Sequence, residues 1–104
     1  MLKSQIITDK LSNVHPGEVL KDEFLDPMNM TVTFLSLETR IPEDRIYRII
    51  NGQSPVTAEI AIRLSKFFGT TSEFWLNLQN LYDLENETVK HGREFEKIKM
   101  YEYA

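Results

Sequence analysis

TVTFLSLETRIPEDRIYRIIN, residues Thr31–Asn51, carries the reading of the fold. Thr31 is a good N-cap, and Phe34, Leu35 and Leu37 supply the apolar members of a short helix behind it. Pro42 suits the start of a second helix, with Ile46, Ile49 and Ile50 on one side. Asn51-Gly52 closes it, because glycine takes the left-handed conformation after a helix end. A short helix, about three linking residues and a second helix is helix-turn-helix spacing. Leu35, Ser36, Ile41, Ile46 and Ile49 are the inward positions, with the small Ser36 where the two helices cross. Small helical domains often contain such a corner, so the spacing alone is only moderately specific.

Rotating the second helix by 100° per residue sharpens the functional reading. With the isoleucines inward, Asp44, Arg48 and Asn51 centre the outward face, flanked by Arg45 and Tyr47. In a helix that enters the major groove, Arg48 suits a guanine edge, Asn51 an adenine or a phosphate, and Arg45 a phosphate. Thr31, Thr33 and Gln53 fall where helix ends and loops meet the sugar-phosphate backbone. Glu43 and Asp44 complement the positive end of the helix dipole, yet they repel phosphate unless one accepts a cytosine amino group. The bland alternative is a solvated face on which Asp44 and Arg48, four apart, simply pair.

Working outward, His15-Pro16-Gly17-Glu18 opens a first helix through Val19, Leu20 and Phe24, stopped at Asp26-Pro27. Thr57 caps a fourth, smooth helix of Ala58, Ala61, Leu64, Ser65 and Phe68 that ends at Gly69. Thr70 or Thr71 caps a fifth, and Thr70 with Glu73 fits a capping box. Its apolar residues, from Phe74 to Leu84, cover too wide an arc for one core. Phe74, Trp75, Leu78, Leu81 and Tyr82 are therefore expected at a homodimer interface. Ile98, Met100 and Tyr103 alternate with polar residues as a strand would, although Phe95, Ile98 and Glu102 fit a helix nearly as well. The expected class is all-α: a compact five-helix, lambda-repressor-like helix-turn-helix domain over residues 15–86. An arm, 1–14, precedes it, and an extension, 87–104, follows that would pair as a strand across a dimer.

Composition narrows the function. The 104 residues make one domain, and 41% hydrophobic with 27% charged residues is ordinary for a globular chain. The absence of cysteine excludes disulfide scaffolds and thiolate metal sites. His15 and Glu18 share a helix face, but no further ligand pair accompanies them, so no metal or cofactor is expected. Isolated glycines provide no phosphate loop, and no nucleophilic triad is suggested, so an enzyme with a small-molecule substrate is not expected. No apolar run approaches the ~18 residues of a membrane span, and the start does not read as a signal peptide. A cytoplasmic location is expected. Net charge is −4, yet residues 40–66 hold five basic against three acidic side chains, a local basic stretch in an acidic chain.

Several motifs then follow in order: Val14-His15-Pro16-Gly17-Glu18, Leu25-Asp26-Pro27, Ile50-Asn51-Gly52, Val56-Thr57-Ala58, Phe74-Trp75-Leu76-Asn77-Leu78-Gln79 and Tyr82-Asp83-Leu84. Over residues 14–85 the chain resembles the HigA-type antitoxins of the XRE-like helix-turn-helix class. The first motif combined with that around Trp75 is specific. The resemblance implies a homodimeric antitoxin that neutralises a basic, RelE-like mRNA endonuclease toxin, HigB, and represses its own operon at palindromic operator DNA. Dimerisation in the family involves the C-terminal part. An acidic antitoxin surface complements a basic toxin, and Asp22, Glu23 and Asp26 or the arm are the expected toxin side. The chain departs from the family pattern at Leu35-Ser36, where Leu-Ala is usual, and at Arg40, where the bend glycine is usual. Arg40 must adopt a positive φ or force a different turn. Two other readings stand beside this one: a stand-alone repressor, and a partner-binding dimer that has lost DNA binding.

Overall fold

The computed structural model describes residues 13–103. The first helix, α1, starts as Pro16–Val19 and continues as a wider π-helical stretch, Leu20–Leu25. Four helices follow: α2 (Val32–Thr39), α3 (Glu43–Ile50), α4 (Ala58–Phe68) and α5 (Ser72–Glu96). The expected arm lies almost wholly outside the described residues.

Local chemistry sets each boundary. Pro16 occupies the first turn of α1, where its missing N–H is no loss, and His15 Nδ1 accepts the Gly17 N–H at 2.9 Å. The wide turns end as the Asp26 N–H reaches back to the Lys21 carbonyl, and Asn29 then turns the chain at φ 52°. Thr31, Thr57 and Thr71 are extended N-caps whose hydroxyls accept the N–H groups of Phe34, Ile60 and Phe74. Thr70 does not form the expected capping box. Its hydroxyl instead accepts the indole N–H of Trp75 at 2.8 Å, which leaves the cap to Thr71. Gly69 closes α4 in the left-handed conformation at φ 77°.

The helices enclose one core of Leu20, Leu25, Leu35, Ile41, Ile46, Ile49, Val56, Ile60, Ala61, Leu64 and Trp75. Burying each large member contributes about 1.5–3 kcal/mol, the main term holding α3 on the domain. Phe24 from the π stretch links the aromatics, its ring 4.7 Å from Phe68 and 5.2 Å from Trp75. Helices α1 and α3 approach closely at Gly17. A Cβ on Gly17 would stand 1.8 Å from the Ile49 carbonyl oxygen, so only glycine lets the two backbones meet.

Helix α5 leaves the core and runs on past residue 86, with non-helical dihedrals at His91. Leu84, Val89 and Phe95 along it are exposed, as is Ile98 just beyond its end. The strand expected around Ile98–Tyr103 is not formed. Residues 98–103 have no regular structure in the single chain, where an isolated strand has nothing to pair with. Among the described residues no helix is long and apolar enough to cross a membrane.

Candidate nucleic-acid interface

The corner between α2 and α3 is built as the sequence demands. Arg40 takes the left-handed conformation, φ 63° and ψ 27°, the first of the two options open to a residue in the glycine position. Side chains hold the turn around it. The Ser36 hydroxyl donates to the Ile41 carbonyl, Thr39 Oγ1 accepts the Ile41 N–H at 3.3 Å, and Arg63 of α4 donates to the Thr39 carbonyl at 3.0 Å. Ser36 thus gains the partner its hydroxyl requires at a close crossing. These bonds satisfy backbone groups that the tight turn would otherwise leave open.

Ile46 and Ile49 are buried, so α3 turns its opposite face outward. Asp44, Tyr47, Arg48, Asn51 and Gln53 are exposed and Arg45 is half-buried, so that α3 and the turn after it present these candidates on one surface. Thr31 and Thr33 lie exposed at the start of α2. Thr31 Oγ1 already serves as a cap, which leaves a lone pair for a further donor but commits its position. Pro42 precedes α3 without a side-chain cap, leaving the first-turn N–H groups of α3 without one, beside Glu43 and Asp44.

Arg48 is held before any ligand arrives. Its guanidinium donates to Asp44 Oδ2 at 2.9 Å and approaches Ser54 Oγ at 3.4 Å, while remaining 48% exposed. Such an exposed i,i+4 pair is worth only a few tenths of a kcal/mol. Exchanging Asp44 for a base edge is therefore cheap, and the bland pairing and the groove-reading role are compatible.

Sequence reasoning singled out neither Gln79 nor Arg63 for a role here. Gln79 is a buried polar residue of α5 whose Oε1 accepts the Val56 N–H at 2.7 Å, and whose Nε2 donates to Asp83 at 3.0 Å. It fastens the segment after α3 to α5. A glutamine directly after Leu78, inside the apolar run of the helix, was the available signal, since a buried amide needs partners. His15 also has a structural role. It is buried, packs edge-on against Tyr82 with ring centroids 4.8 Å apart, and caps α1. Burial pushes its imidazole below the usual histidine range, against the opposing pull of Glu18 and Asp83. Among the described residues no group of three or more His, Asp or Glu is placed to hold a metal ion.

The five residues expected at a dimer interface divide into two sets. Trp75 is 0% exposed and Leu78 is buried, so both are used by the protomer's own core. Phe74 and Leu81, seven apart and thus on one side of α5, remain 38% and 39% exposed, and Tyr82 is half-buried against His15. The apolar arc thus points two ways, Trp75 and Leu78 into the protomer's core and Phe74 and Leu81 toward solvent.

Comparison with known proteins places this geometry. A helix-turn-helix family model matches residues 22–76. Antitoxin HigA-1 of Vibrio cholerae serotype O1 is 37% identical over 86 residues, covering 83% of this chain and 81% of that protein. A solved addiction module antidote protein of a HigA family from Coxiella burnetii is 44% identical with a TM-score of 0.80, covering 85% of this chain and 97% of that one. The Pseudomonas aeruginosa antitoxin HigA with higBA promoter superposes with a TM-score of 0.79 at 32% identity, over 84% of this chain and 95% of that one.

Proposed function

The chain belongs to the helix-turn-helix family, and we propose that within it this protein is a HigA-type antitoxin that binds its own operator as a dimer and neutralises a basic toxin partner. The observation that carries the DNA-binding half is α3 itself. The helix is anchored by Ile46 and Ile49 and, with Asn51 at its end, presents Arg48 and Tyr47 to solvent on a fold like that of the Pseudomonas aeruginosa antitoxin HigA with higBA promoter. Arg48 is the base reader, Asn51 an adenine or phosphate contact, and Arg45, Thr31, Thr33 and Gln53 are backbone contacts. Asp44 releases Arg48 and accepts from a cytosine amino group. The dimer forms on the exposed apolar side of α5, through Phe74, Leu81 and Leu84 with Tyr82 at its edge. The protein acts in the cytoplasm and catalyses no reaction.

Two α3 helices in a dimer read two half-sites about one DNA turn apart. Nuclease footprinting on the DNA upstream of its own gene tests this. Two protected half-sites centred about 10 base pairs apart support the reading, and uniform cleavage refutes it. Co-purification with a basic protein of about 90–110 residues encoded next to it tests the antitoxin half. Repression without any such partner would favour a stand-alone repressor.

A further inference from the structure

The segment between α3 and α4 is fastened at both ends, and its far anchor is Gln79. At the near end the Gln53 and Ser54 N–H groups both reach the Arg48 carbonyl, at 2.7 and 3.2 Å, and the Ser54 hydroxyl faces the Arg48 guanidinium. At the far end the buried Val56 N–H has Gln79 Oε1 as its acceptor. Asp83 takes the Gln79 amide N–H, which fixes which way the amide points and keeps oxygen toward Val56. A Cβ on Gly52, at φ 74°, would stand 3.9 Å from the His15 ring, so that ring lines one side of the segment between its two ties. Residues 51–56 carry Asn51 and Gln53, two of the proposed DNA contacts, and Ser54, which steadies a third.

We propose that Gln79 is a positioning residue for DNA recognition: from α5 it sets the 51–56 segment, and through Ser54 it sets the guanidinium of Arg48. Gln79 touches no DNA in this assignment. It couples α5, the helix that carries the dimer face, to the side chain that reads bases. The assignment rests on the proposed DNA-binding role, and the two fail in different ways.

The test uses the full chain and fluorescence anisotropy on its own upstream duplex and a scrambled duplex. Four proteins are compared at a temperature where circular dichroism shows each folded: wild type, Q79M, R48A and Q79M/R48A. Q79M removes the acceptor from a buried N–H at nearly constant volume. It is expected to lower the preference for the upstream duplex about tenfold, and R48A is expected to cost less in the Q79M background than in wild type. Q79E with D83N keeps an acceptor on Val56 and reverses the Asp83 bond, so this pair is expected to restore the preference that Q79M loses. A folded Q79M protein with wild-type preference and additive R48A effects overturns the positioning role and leaves DNA binding standing. Wild type without preference for the upstream duplex overturns both. If Q79M does not fold, S54A supplies the decision, because it cuts the link from the segment to the Arg48 guanidinium. Unchanged preference in folded S54A refutes the assignment, and a loss like that expected of Q79M supports it.

Discussion

Replacing Arg40 by glycine should stabilise the protein. Arg40 closes α2 at φ 63°, in the region where a β-carbon crowds the following carbonyl, at a cost of about 1–2 kcal/mol. Its backbone N–H bonds the Ser36 carbonyl at 2.8 Å, a bond glycine keeps. Its side chain is exposed, so little packing is lost. Against the relief stands the extra chain entropy of glycine in the unfolded state, about 0.5–1 kcal/mol. The central values leave a net gain of about 0.75 kcal/mol, or roughly 3–6 °C in melting temperature for a domain of this size. Thermal unfolding followed by circular dichroism measures it, at one fixed protein concentration because dimer formation shifts the midpoint. Arg40→Ala is the control, since it removes the guanidinium but keeps the β-carbon, and it should melt within a degree or two of wild type. An unchanged or lower melting temperature for Arg40→Gly would refute the reasoning, and an equal rise in Arg40→Ala would assign the effect to charge.

Other expectations follow from the packing. Gly17→Ala should cost about 3 kcal/mol or more, because the new methyl meets the Ile49 carbonyl and neither backbone has room; a urea midpoint near wild type would contradict the α1–α3 contact. Stability should fall with acid below about pH 6.5. His15 is held neutral by burial, so its folded pKa lies below its unfolded one, and the unfolded chain takes the proton first; the stability is whole above that pH and is lost as pH falls toward the folded pKa. His15→Asn, which can still cap α1, should flatten this dependence in urea titrations at pH 5 and 7.5, and an unchanged slope would place the proton elsewhere. Leu81→Glu should halve the mass seen by light scattering while the protomer stays folded, whereas Trp75→Ala should lower the melting temperature instead. A dimeric Leu81→Glu protein would move the interface off this side of α5.

Much of this architecture is local and therefore legible in the sequence. Pro16, Thr31, Thr57, Gly52 and Gly69 act at their own positions, and the Ile46–Ile49 spacing fixes which way α3 faces whatever it packs against. Arg40 was legible too, since a non-glycine residue at a tight bend has few options. Long-range features were not. Trp75 and Phe74 are neighbours on an apolar helix, and only the positions of Phe24 and Thr70 decide that one points inward and the other does not. Gln79 and Val56 are 23 residues apart in two separate motifs, so their bond belongs to the packed fold and cannot be read from either motif alone. Alternation near the C-terminus was weak for a related reason, because strand formation there depends on a partner and not on the segment itself.

Whether α3 reads DNA is decided by the Arg48→Ala variant. Affinity for the upstream duplex and for a scrambled duplex would be measured by anisotropy across a salt series. Wild type should prefer its own upstream DNA at least ~10³-fold with strong salt dependence, and Arg48→Ala should lose about 1–3 kcal/mol on that DNA while binding scrambled DNA almost as before. Equal losses on both duplexes would make Arg48 a phosphate contact only, and no wild-type preference would mean that α3 does not read DNA.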